Sequence, residues 1–530
     1  MSRLEIASPK RAKIVMEGLY KDLERRIESS PPGLCPVDMA RAFLELCHAQ
    51  TCGKCVPCRI GLGQLNNFIR EVLDGKATMK TLDIMEQTAL SIMESADCAI
   101  GYEAANMVYK GLIGYRDDYI EHIQNGRCTC TYNQPVPCVS LCPAHVDIPG
   151  YIALVGEGRY ADAIRLLRKD NPFPTTCGFI CEHPCEARCR RNMVDDSINI
   201  RGLKRVAADF AGEVDPPQCA PSTGKKIAIL GGGPGGLSAA YYLQLMGHQT
   251  TVYEMLPELG GMLRYGIPNY RLPKERLDDD IRAILKTGVQ VKNGLKIGQD
   301  ITIQELRQQY DVVLITIGAS TDKKLGLENE DADGIISAVQ FLRNVGKNQI
   351  IDLTGKEVVV IGGGNVSMDA VRTAKRLGAK KVSIVYRRRV ADMTALPGEI
   401  EGAVAEGIEL QTLKAPASID VDENHHVKGI YVTPQMVSSI RDGRASIKPT
   451  GEEDIYIPCD VLIVAIGQNI ETHHFEQAGI PVERGKIVTK STGAFENLPG
   501  VFAGGDCASG PASVIKAIAA AKVVAANIDE

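Results

Sequence analysis

Two glycine-rich segments and a large set of cysteines are the parts of this 530-residue chain that could do chemistry. The glycine segments share the spacing of dinucleotide-binding turns and read Gly231-x-Gly233-x-x-Gly236 and Gly362-x-Gly364-x-x-Ser367. Such turns let a backbone approach a pyrophosphate. Most of the 17 cysteines lie upstream of both turns. Two nucleotide sites combined with a cysteine-rich region indicate electron transfer.

The first glycine segment stands in the setting that a dinucleotide site requires. The apolar run at 226–230 predicts a buried parallel strand, and the pattern at 237–245 predicts a helix. The N-terminus of that helix would offer backbone N–H groups to an anion. Glu254 follows the next predicted strand, where its carboxylate would accept hydrogen bonds from ribose hydroxyls and repel a 2′-phosphate. This half therefore suits the adenosine of FAD or NAD.

The second segment repeats the layout but ends in the opposite charge. A strand is predicted at 357–361, followed by a glycine turn that reaches Asn365, a helix, and a strand at 381–386. Three arginines come next, Arg387, Arg388 and Arg389. Guanidinium groups match phosphate oxygens in bidentate fashion, so NADP(H) is the predicted ligand of Gly362, Gly364, Asn365, Arg387 and Arg388. NAD(H), or a solvated basic loop, is the alternative.

Two further segments resemble a known family. The residues from Gly500 to Asp506, followed by an alanine-rich helix, look like the motif with which two-dinucleotide-domain flavoproteins hold FAD, which implies roles for Gly505 and Asp506. The segment 260–273 (GGMLRYGIPNYRLP) more narrowly resembles the glutamate synthase small subunit, the flavoprotein part of dihydropyrimidine dehydrogenase and the large subunit of ferredoxin:NADP transhydrogenases. It adds Gly261 and Arg264 to the implied cofactor-binding residues. This resemblance covers about residues 126 to 530.

Four cysteines form the first candidate iron–sulfur site. Cys52, Cys55 and Cys58 are crowded together, and Cys98 follows much later. Three thiolates this close hold a 4Fe-4S cluster more easily than a zinc ion, whose sites use separated pairs. The segment 51–61 looks like the cluster domain of the NADH-oxidising flavin subunit of respiratory complex I, over about residues 35 to 120. Because that family's FMN and NADH region is missing, we expect a detached module that conducts electrons.

Eight more cysteines lie between residues 128 and 189, which is enough for two further clusters. The family resemblance implies that one set is Cys142, Cys181, Cys185 and Cys189. It implies that the other set begins with Cys128, Cys130 and Cys138. Relatives can use Gln or Glu as the fourth ligand of that set, but the aligned position here offers Lys204, which has no lone pair while protonated. Cys177 is the available substitute.

The remaining candidates are assigned to structure rather than chemistry. The other cysteines lack partner spacing and are interpreted as packing residues, namely Cys35, Cys47, Cys219, Cys459 and Cys507. A disulfide reductase is disfavoured because the segment 362–369 contains no cysteine. The charged helix predicted at 397–407 is interpreted as a solvated face. No catalytic residue is assigned, because hydride transfer needs positioning rather than a general base.

Composition excludes several other classes of protein. A net charge of −5 provides no attraction to nucleic acid or to an anionic membrane. No stretch approaches about 18 uninterrupted apolar residues, and the first residues lack the apolar core of a secretion signal. We therefore expect a cytoplasmic protein without a membrane span. In that reducing compartment the cysteines are ligands or packing residues rather than disulfides.

The predicted fold class is α/β, with two Rossmann-like dinucleotide-binding domains for FAD and NADP preceded by helical iron–sulfur domains. The predicted boundaries are 1–125 for the first cluster module, 126–222 for the two-cluster domain, 223–350 and 468–530 for the FAD domain, and 351–467 for the NAD(P)H domain.

The leading hypothesis is an NAD(P)H oxidoreductase subunit in a hetero-oligomer. It would pass electrons between NADPH, or NADH, and ferredoxin or a partner redox enzyme through FAD and three 4Fe-4S clusters. One alternative is a glutamate synthase small subunit that supplies a large subunit, and the N-terminal module argues against it. Another is a non-catalytic electron-conducting scaffold, which the intact nucleotide motifs disfavour.

Overall fold

The computed structural model describes residues 15–16, 18–19, 35–126, 136–441 and 444–530. The chain divides into two compact units. One unit comprises the described residues up to His145 together with His183–Ile200. The other comprises Val146–Glu182 and the described residues from Arg201 to Glu530. Among the described residues, no helix combines the length and the apolar character needed to cross a membrane.

The first unit is helical. Its α-helices are α1 (Pro36–Ala49), α2 (Leu62–Leu73), α3 (Met79–Ser95), α4 (Ala99–Gly114), α5 (Arg116–Asn125), α6 (Pro137–Leu141) and α10 (Pro184–Ala187). A π-helical turn, Pro57–Gly61, precedes α2, and a 3₁₀ turn, Arg190–Met193, follows α10. Apolar residues at helical spacing, including Leu62, Leu65 and Ile69, are fully buried in one core. The core therefore holds the cysteine-bearing turns in place.

The second unit contains the remaining helices and all the strands of the described chain. Its α-helices are α7 (Ile148–Gly156), α8 (Tyr160–Arg168), α9 (Pro174–Ile180), α11 (Ile200–Phe210), α12 (Pro234–Leu245), α13 (Met262–Tyr265), α14 (Lys274–Leu285), α15 (Ile303–Gln309), α16 (Ala338–Gly346), α17 (Asn365–Arg376), α18 (Pro397–Ala405), α19 (His473–Gln477), α20 (Asp506–Ser509) and α21 (Val514–Asp529).

Two parallel five-stranded sheets form the centre of this unit. The first has the order β18-β4-β1-β2-β3, with β1 (Lys226–Leu230), β2 (Gln249–Glu254), β3 (Gln290–Asn293), β4 (Val312–Ile315) and β18 (Val501–Ala503). The second has the order β6-β14-β7-β8-β9, with β6 (Ile335–Ser337), β7 (Glu357–Ile361), β8 (Lys381–Tyr386), β9 (Glu409–Thr412) and β14 (Val461–Val464). The two predicted Rossmann-like domains are confirmed.

Antiparallel strands complete the unit. Four form one sheet, β10 (Lys414–Val421), β11 (Val427–Arg441), β12 (Arg444–Pro449) and β13 (Ile455–Pro458). Two short strands, β5 (Thr321–Asp322) and β15 (Gln468–Asn469), pair where the chain passes between the parallel sheets. The last pair is β16 (Val482–Glu483) with β17 (Lys486–Ile487).

The second parallel sheet begins earlier in the chain than the sequence suggested. Residues 223–350 were assigned to the first dinucleotide domain, but β6 pairs with β14 at the edge of the second sheet. The helix α16 that follows contributes Phe341 and Leu342 to the core of that sheet. The edge strand β6 is only three residues long, so the alternation of apolar and polar residues in it provides little signal in the sequence. The second domain therefore includes β6 and α16.

A buried carboxylate ties α9 to the first dinucleotide domain. Asp280 of α14 is completely buried and accepts hydrogen bonds from the backbone N–H groups of Thr175 (3.2 Å) and Thr176 (2.7 Å). These N–H groups belong to the first turn of α9, where no partner within the helix exists. Burial raises the pKa of Asp280 to about 6. Asp280 thus supplies the N-terminal cap of α9 from a distant helix.

Replacing this cap should destabilise the second unit. In Asp280→Leu, two buried N–H groups lose their acceptor, so we expect the free energy of unfolding to fall by about 1–3 kcal/mol. Urea unfolding followed by circular dichroism measures the change. The matched control is Asp279→Leu, because Asp279 forms partly exposed ion pairs with Arg276 and Arg282 and should cost less than about 1 kcal/mol. Equal unfolding midpoints for the two variants would contradict this role of Asp280.

Candidate functional site

The first glycine segment forms a close turn between β1 and α12. Gly231 has a φ of +113°, and a Cβ there would lie 2.5 Å from the carbonyl oxygen of Thr316. A Cβ at Gly236 would collide with the carbonyl oxygen of Gly231. Gly233 is the N-cap of α12, so the open N-terminus of that helix faces the turn. The close turn requires glycine at these positions, and its binding of a pyrophosphate stays a prediction.

Glu254 lies at the end of β2, beside this turn. Its carboxylate accepts hydrogen bonds from the backbone N–H groups of Gly232 (2.7 Å) and Leu256 (2.8 Å). Burial raises the pKa of Glu254, although these hydrogen bonds favour its charged form. The carboxylate is therefore fixed at the sheet edge, where a 2′-phosphate would meet a negative charge.

Gly261 lies against the same turn, whereas Arg264 is engaged elsewhere. Gly261 has a φ of +52°, and a Cβ there would lie 2.8 Å from the Cα of Gly233. The buried guanidinium of Arg264 donates to the carbonyl oxygen of Leu259 (2.6 Å) and pairs with Asp278. The structure thus gives Arg264 partners within the protein, and its contact with a cofactor stays a prediction.

Asp506 lies at the carboxyl edge of the first sheet and has an unused acceptor. Strand register places β18 beside β4 and β4 beside β1, so the turns after all three strands share one edge. Gly505 precedes Asp506 with a φ of +74°. The Oδ1 of Asp506 is buried and has no hydrogen-bond partner among the described residues, and burial raises the pKa of this carboxyl to about 6. Such an orphaned acceptor fits a ligand hydroxyl group, as the FAD resemblance implies.

The second glycine segment repeats this construction between β7 and α17. A Cβ at Gly362 would collide with the carbonyl oxygen of Ala465, and Gly364 is the N-cap of α17. Asn365 accepts a hydrogen bond from the backbone N–H of Leu396 (3.0 Å) and donates one to Glu182 (3.2 Å). The helix N-terminus is again directed toward the loop.

The three arginines after β8 have different partners. Arg389 is bound to the buried Asp392 through Nε (2.9 Å) and Nη2 (3.0 Å), and this contact lowers the pKa of Asp392 to about 2. Arg388 donates through Nε to the carbonyl oxygen of Ala445 (2.9 Å). Arg387 is exposed, and no hydrogen bond or ion pair joins it to another described residue. Arg387 and Arg388 are therefore the arginines with donors left for a phosphate.

The four predicted ligands of the N-terminal cluster lie on or beside helices of the first unit. Cys52 and Cys55 precede the π-helical turn, Cys58 lies within it, and Cys98 is the N-cap of α4. Burial raises the pKa of Cys58 to about 12, and the other three thiols add to the rise. A Cβ at Gly101 would lie 2.5 Å from the Sγ of Cys58, so α4 approaches this thiol closely because it has a glycine there. Cys52, Cys55 and Cys98 thus lie near enough to Cys58 to raise its pKa.

Four of the second group of cysteines lie in the first unit, on or beside α6 and α10: Cys138, Cys142, Cys185 and Cys189. Burial raises the pKa of Cys138, and Cys189 and Cys142 contribute to the rise. Cys128 and Cys130 lie outside the described residues.

Cys177 and Cys181 lie in the second unit and contact each other. A hydrogen bond with Cys181 and burial raise the pKa of Cys177, whereas the ammonium group of Lys204 acts to lower it. The sequence placed these two thiols in different ligand sets, yet they are one helical turn apart on α9 and its end. That spacing was visible in the sequence. No group of three or more Cys, His, Asp and Glu side chains in the described residues is arranged to hold a metal ion, so the ligand sets stay predictions.

Sequence reasoning missed the charged contacts of α18. Its acidic residues were interpreted as a solvated face, but Glu399 pairs with Arg271 (3.1 Å) and Arg372 (2.7 Å). Glu406 pairs with Arg372 (2.9 Å) and with Arg376 (2.8 Å). The interpretation is wrong for these two glutamates, because their partners come from other elements: Arg372 and Arg376 from α17, and Arg271 from a loop far away in the sequence.

Known proteins share these features. Three family models match the chain: pyridine nucleotide-disulphide oxidoreductase at residues 225–521, the NADH-ubiquinone oxidoreductase-F iron-sulfur binding region at 38–122, and the 4Fe-4S domain II of dihydropyrimidine dehydrogenase at 114–215. The last two confirm the predicted iron–sulfur regions. The first confirms the predicted pyridine-nucleotide oxidoreductase.

Several known proteins align with most of the chain. The NADPH-Fe(3+) oxidoreductase subunit beta of Geobacter sulfurreducens is 34% identical, with 94% of this chain and 79% of that protein covered. The NADP(+)-dependent formate dehydrogenase subunit beta of Moorella thermoacetica is 32% identical, with 92% and 79% covered. The glutamate synthase [NADPH] small chain of Escherichia coli is 34% identical, with 74% and 87% covered. The chain therefore belongs to the pyridine nucleotide-disulphide oxidoreductase family, in the group that includes the glutamate synthase small subunit, and carries iron–sulfur regions before the oxidoreductase core.

Proposed function

We propose that this chain is the electron-transferring subunit of an NADPH-dependent enzyme, with FAD at the first parallel sheet and NADP(H) at the second. The observation that carries the proposal is the opposite charge at the two equivalent sheet edges. Glu254 is fixed beside the first glycine turn, whereas Arg387 and Arg388 follow the corresponding strand of the second. A carboxylate disfavours a 2′-phosphate and guanidinium groups favour it, so the two edges suit different dinucleotides.

The residues that would hold FAD are those of the first edge, namely Gly231, Gly233, Gly236, Glu254, Gly261, Gly505 and Asp506. Bound FAD would accept a hydride and release its electrons singly, which is the chemistry that links NADPH to iron–sulfur clusters. The chain contributes the close turns, the fixed carboxylate of Glu254 and the unused acceptor of Asp506. No general base is assigned, because orientation of the reacting groups is what the protein supplies.

The relatives support a partner subunit rather than a free-standing enzyme. Two similar proteins are beta subunits, and they align with both the N-terminal region and the oxidoreductase core. The glutamate synthase small chain aligns with a smaller share of this chain, so the alternative function leaves the N-terminal module without a role. We propose a cytoplasmic hetero-oligomer whose electron acceptor or donor is a partner redox subunit or ferredoxin. The reducing cytoplasm agrees with cysteines that serve as ligands.

The choice of nucleotide can be tested on Arg387 and Arg388. The double variant Arg387→Ala/Arg388→Ala should bind NADPH more weakly but NADH equally well, because only NADPH has the 2′-phosphate. Each lost charge-assisted contact should cost about 1.5–3 kcal/mol. Titration of the flavin-loaded protein with each nucleotide measures this. Lys381→Ala is the control, since Lys381 is an exposed cation at the opposite end of β8, paired with Glu409. Equally weakened binding of NADPH and NADH would contradict the assignment of Arg387 and Arg388 to the 2′-phosphate.

The metal content can be tested by iron and acid-labile sulfide analysis after anaerobic purification. Three four-cysteine sets predict about twelve irons and about twelve sulfides per chain. Cys58→Ala should lose about four of each, because Cys58 belongs only to the N-terminal set. The control is Cys47→Ala, which removes a fully buried thiol of the same core without a predicted ligand role. About eight irons in the unchanged protein would mean that one set is wrong.

The electron path can be tested with the same variant. If electrons leave through Cys52, Cys55, Cys58 and Cys98, Cys58→Ala should keep NADPH reduction of the flavin within about twofold of the unchanged protein, because the nucleotide sites are intact. Reduction of the partner copurified from the native host should fall steeply. A one-electron dye that reaches the flavin directly should still be reduced. Unchanged transfer to the partner would place the exit at the second group of cysteines instead.

A further inference from the structure

A buried arginine of the first dinucleotide domain reaches into the second. Arg271 lies in the loop between α13 and α14, and its Nη1 is 2.9 Å and 2.7 Å from the two carboxylate oxygens of Asp369 on α17. Its Nε is 3.1 Å from Glu399 on α18. The side chains of Arg271 and Asp369 are only 10% and 5% exposed. One guanidinium therefore joins two carboxylates of the other domain, and its contact with Asp369 is largely shielded from water.

The loop is also held by stacked arginines of the second domain. The aromatic ring of Tyr270 lies under the guanidinium groups of Arg376 (4.1 Å) and Arg372 (4.9 Å). Arg372 in turn donates to Glu399. The pair Tyr270–Arg271 thus enters a site of the second domain in which cations and carboxylates alternate.

This contact restricts the orientation of the domains more than close packing between them does. The chain crosses between the parallel sheets at β5 and β15, which pair over only two residues each. Gly346 of α16 packs closely on the backbone of Tyr265, with a hypothetical Cβ 3.1 Å from its Cα. Close packing tolerates sliding, whereas a planar guanidinium bonded to two carboxylates accepts a narrow range of orientations. Loss of the guanidinium would also leave the buried carboxylate of Asp369 without its hydrogen-bond donor.

We propose that Arg271 is a positioning residue that fixes the orientation of the second dinucleotide domain on the first, through Asp369 and Glu399. The fixed orientation sets how well NADPH can reduce FAD, and this consequence rests on the function proposed above. In that reaction a hydride leaves NADPH, its two electrons reduce FAD, and one proton from water completes the reduced flavin. A small misplacement of the reacting groups is enough to slow such a step strongly.

The first measurement concerns shape and needs no nucleotide. Small-angle X-ray scattering of the holoprotein should give a larger radius of gyration for Arg271→Met than for the unchanged protein, because the domains are no longer held in one orientation. The radius of gyration of Arg271→Lys should lie between those two values, because lysine keeps the positive charge but lacks the planar guanidinium group. Glu409→Gln is the control, because Glu409 of β9 pairs with Lys381 of β8 within the second domain. The radius of gyration of this variant should equal that of the unchanged protein.

The second measurement is anaerobic stopped-flow reduction of the flavin by NADPH. In Arg271→Met the limiting rate should fall at least about tenfold, while the half-saturating NADPH concentration changes less than about threefold. The double variant Arg271→Met/Asp369→Asn should be no slower than the single variant, because both changes remove one contact. If Arg271→Met does not retain FAD, the limiting rate and the half-saturating NADPH concentration of Arg271→Lys are compared with those of the unchanged protein instead.

Unchanged scattering together with an unchanged limiting rate would overturn the proposal, as would equal effects in Glu409→Gln. A failure of the proposed function is distinguishable, because then NADPH would not bleach the flavin of the unchanged protein either. The scattering result would still report on the role of Arg271.

Discussion

Backbone must approach backbone where each parallel sheet meets its first helix, and binding at both sheet edges depends on that approach. A Cβ at Gly236 would collide with the carbonyl oxygen of Gly231, and one at Gly362 would collide with that of Ala465. Glycine removes the obstruction and brings the amino end of the helix toward the turn, where its unpaired N–H groups can receive an anion. The same steric constraint thus acts twice, once for each nucleotide.

Charge then distinguishes two edges that are alike in backbone. The carboxylate of Glu254 is held in place at the end of β2 by backbone N–H groups. At the second edge, Asp392 binds Arg389, and the proposed NADP(H) site therefore relies on Arg387 and Arg388. The ion pair with Asp392 therefore determines which of the three arginines have donors left for a ligand. In the proposed function, the difference in ligand between the two domains follows from a few side chains at equivalent positions.

The sequence was sufficient for features that depend on local spacing. The glycine turns, the strands that precede them and the charges that follow the next strands were predictable because each lies within one βαβ unit. The pairing of Arg271 with Asp369 and Glu399 was not, because it joins residues that only the folded chain brings together. Local patterns made the acidic helix α18 look solvated for the same reason. The edge strand β6 was missed because three residues carry too little periodicity.

The order of the strands along the chain has a consequence for synthesis. The second parallel sheet has all its strands once Val464 has been made, whereas the first waits for β18, which ends at Ala503. Chains are made from the amino end and domains fold as units, so the inserted domain can close while the surrounding one still lacks a strand. The turn that carries Asp506 comes later still. A growing chain therefore has its second sheet edge complete before its first, so the FAD site proposed above would form only late in synthesis.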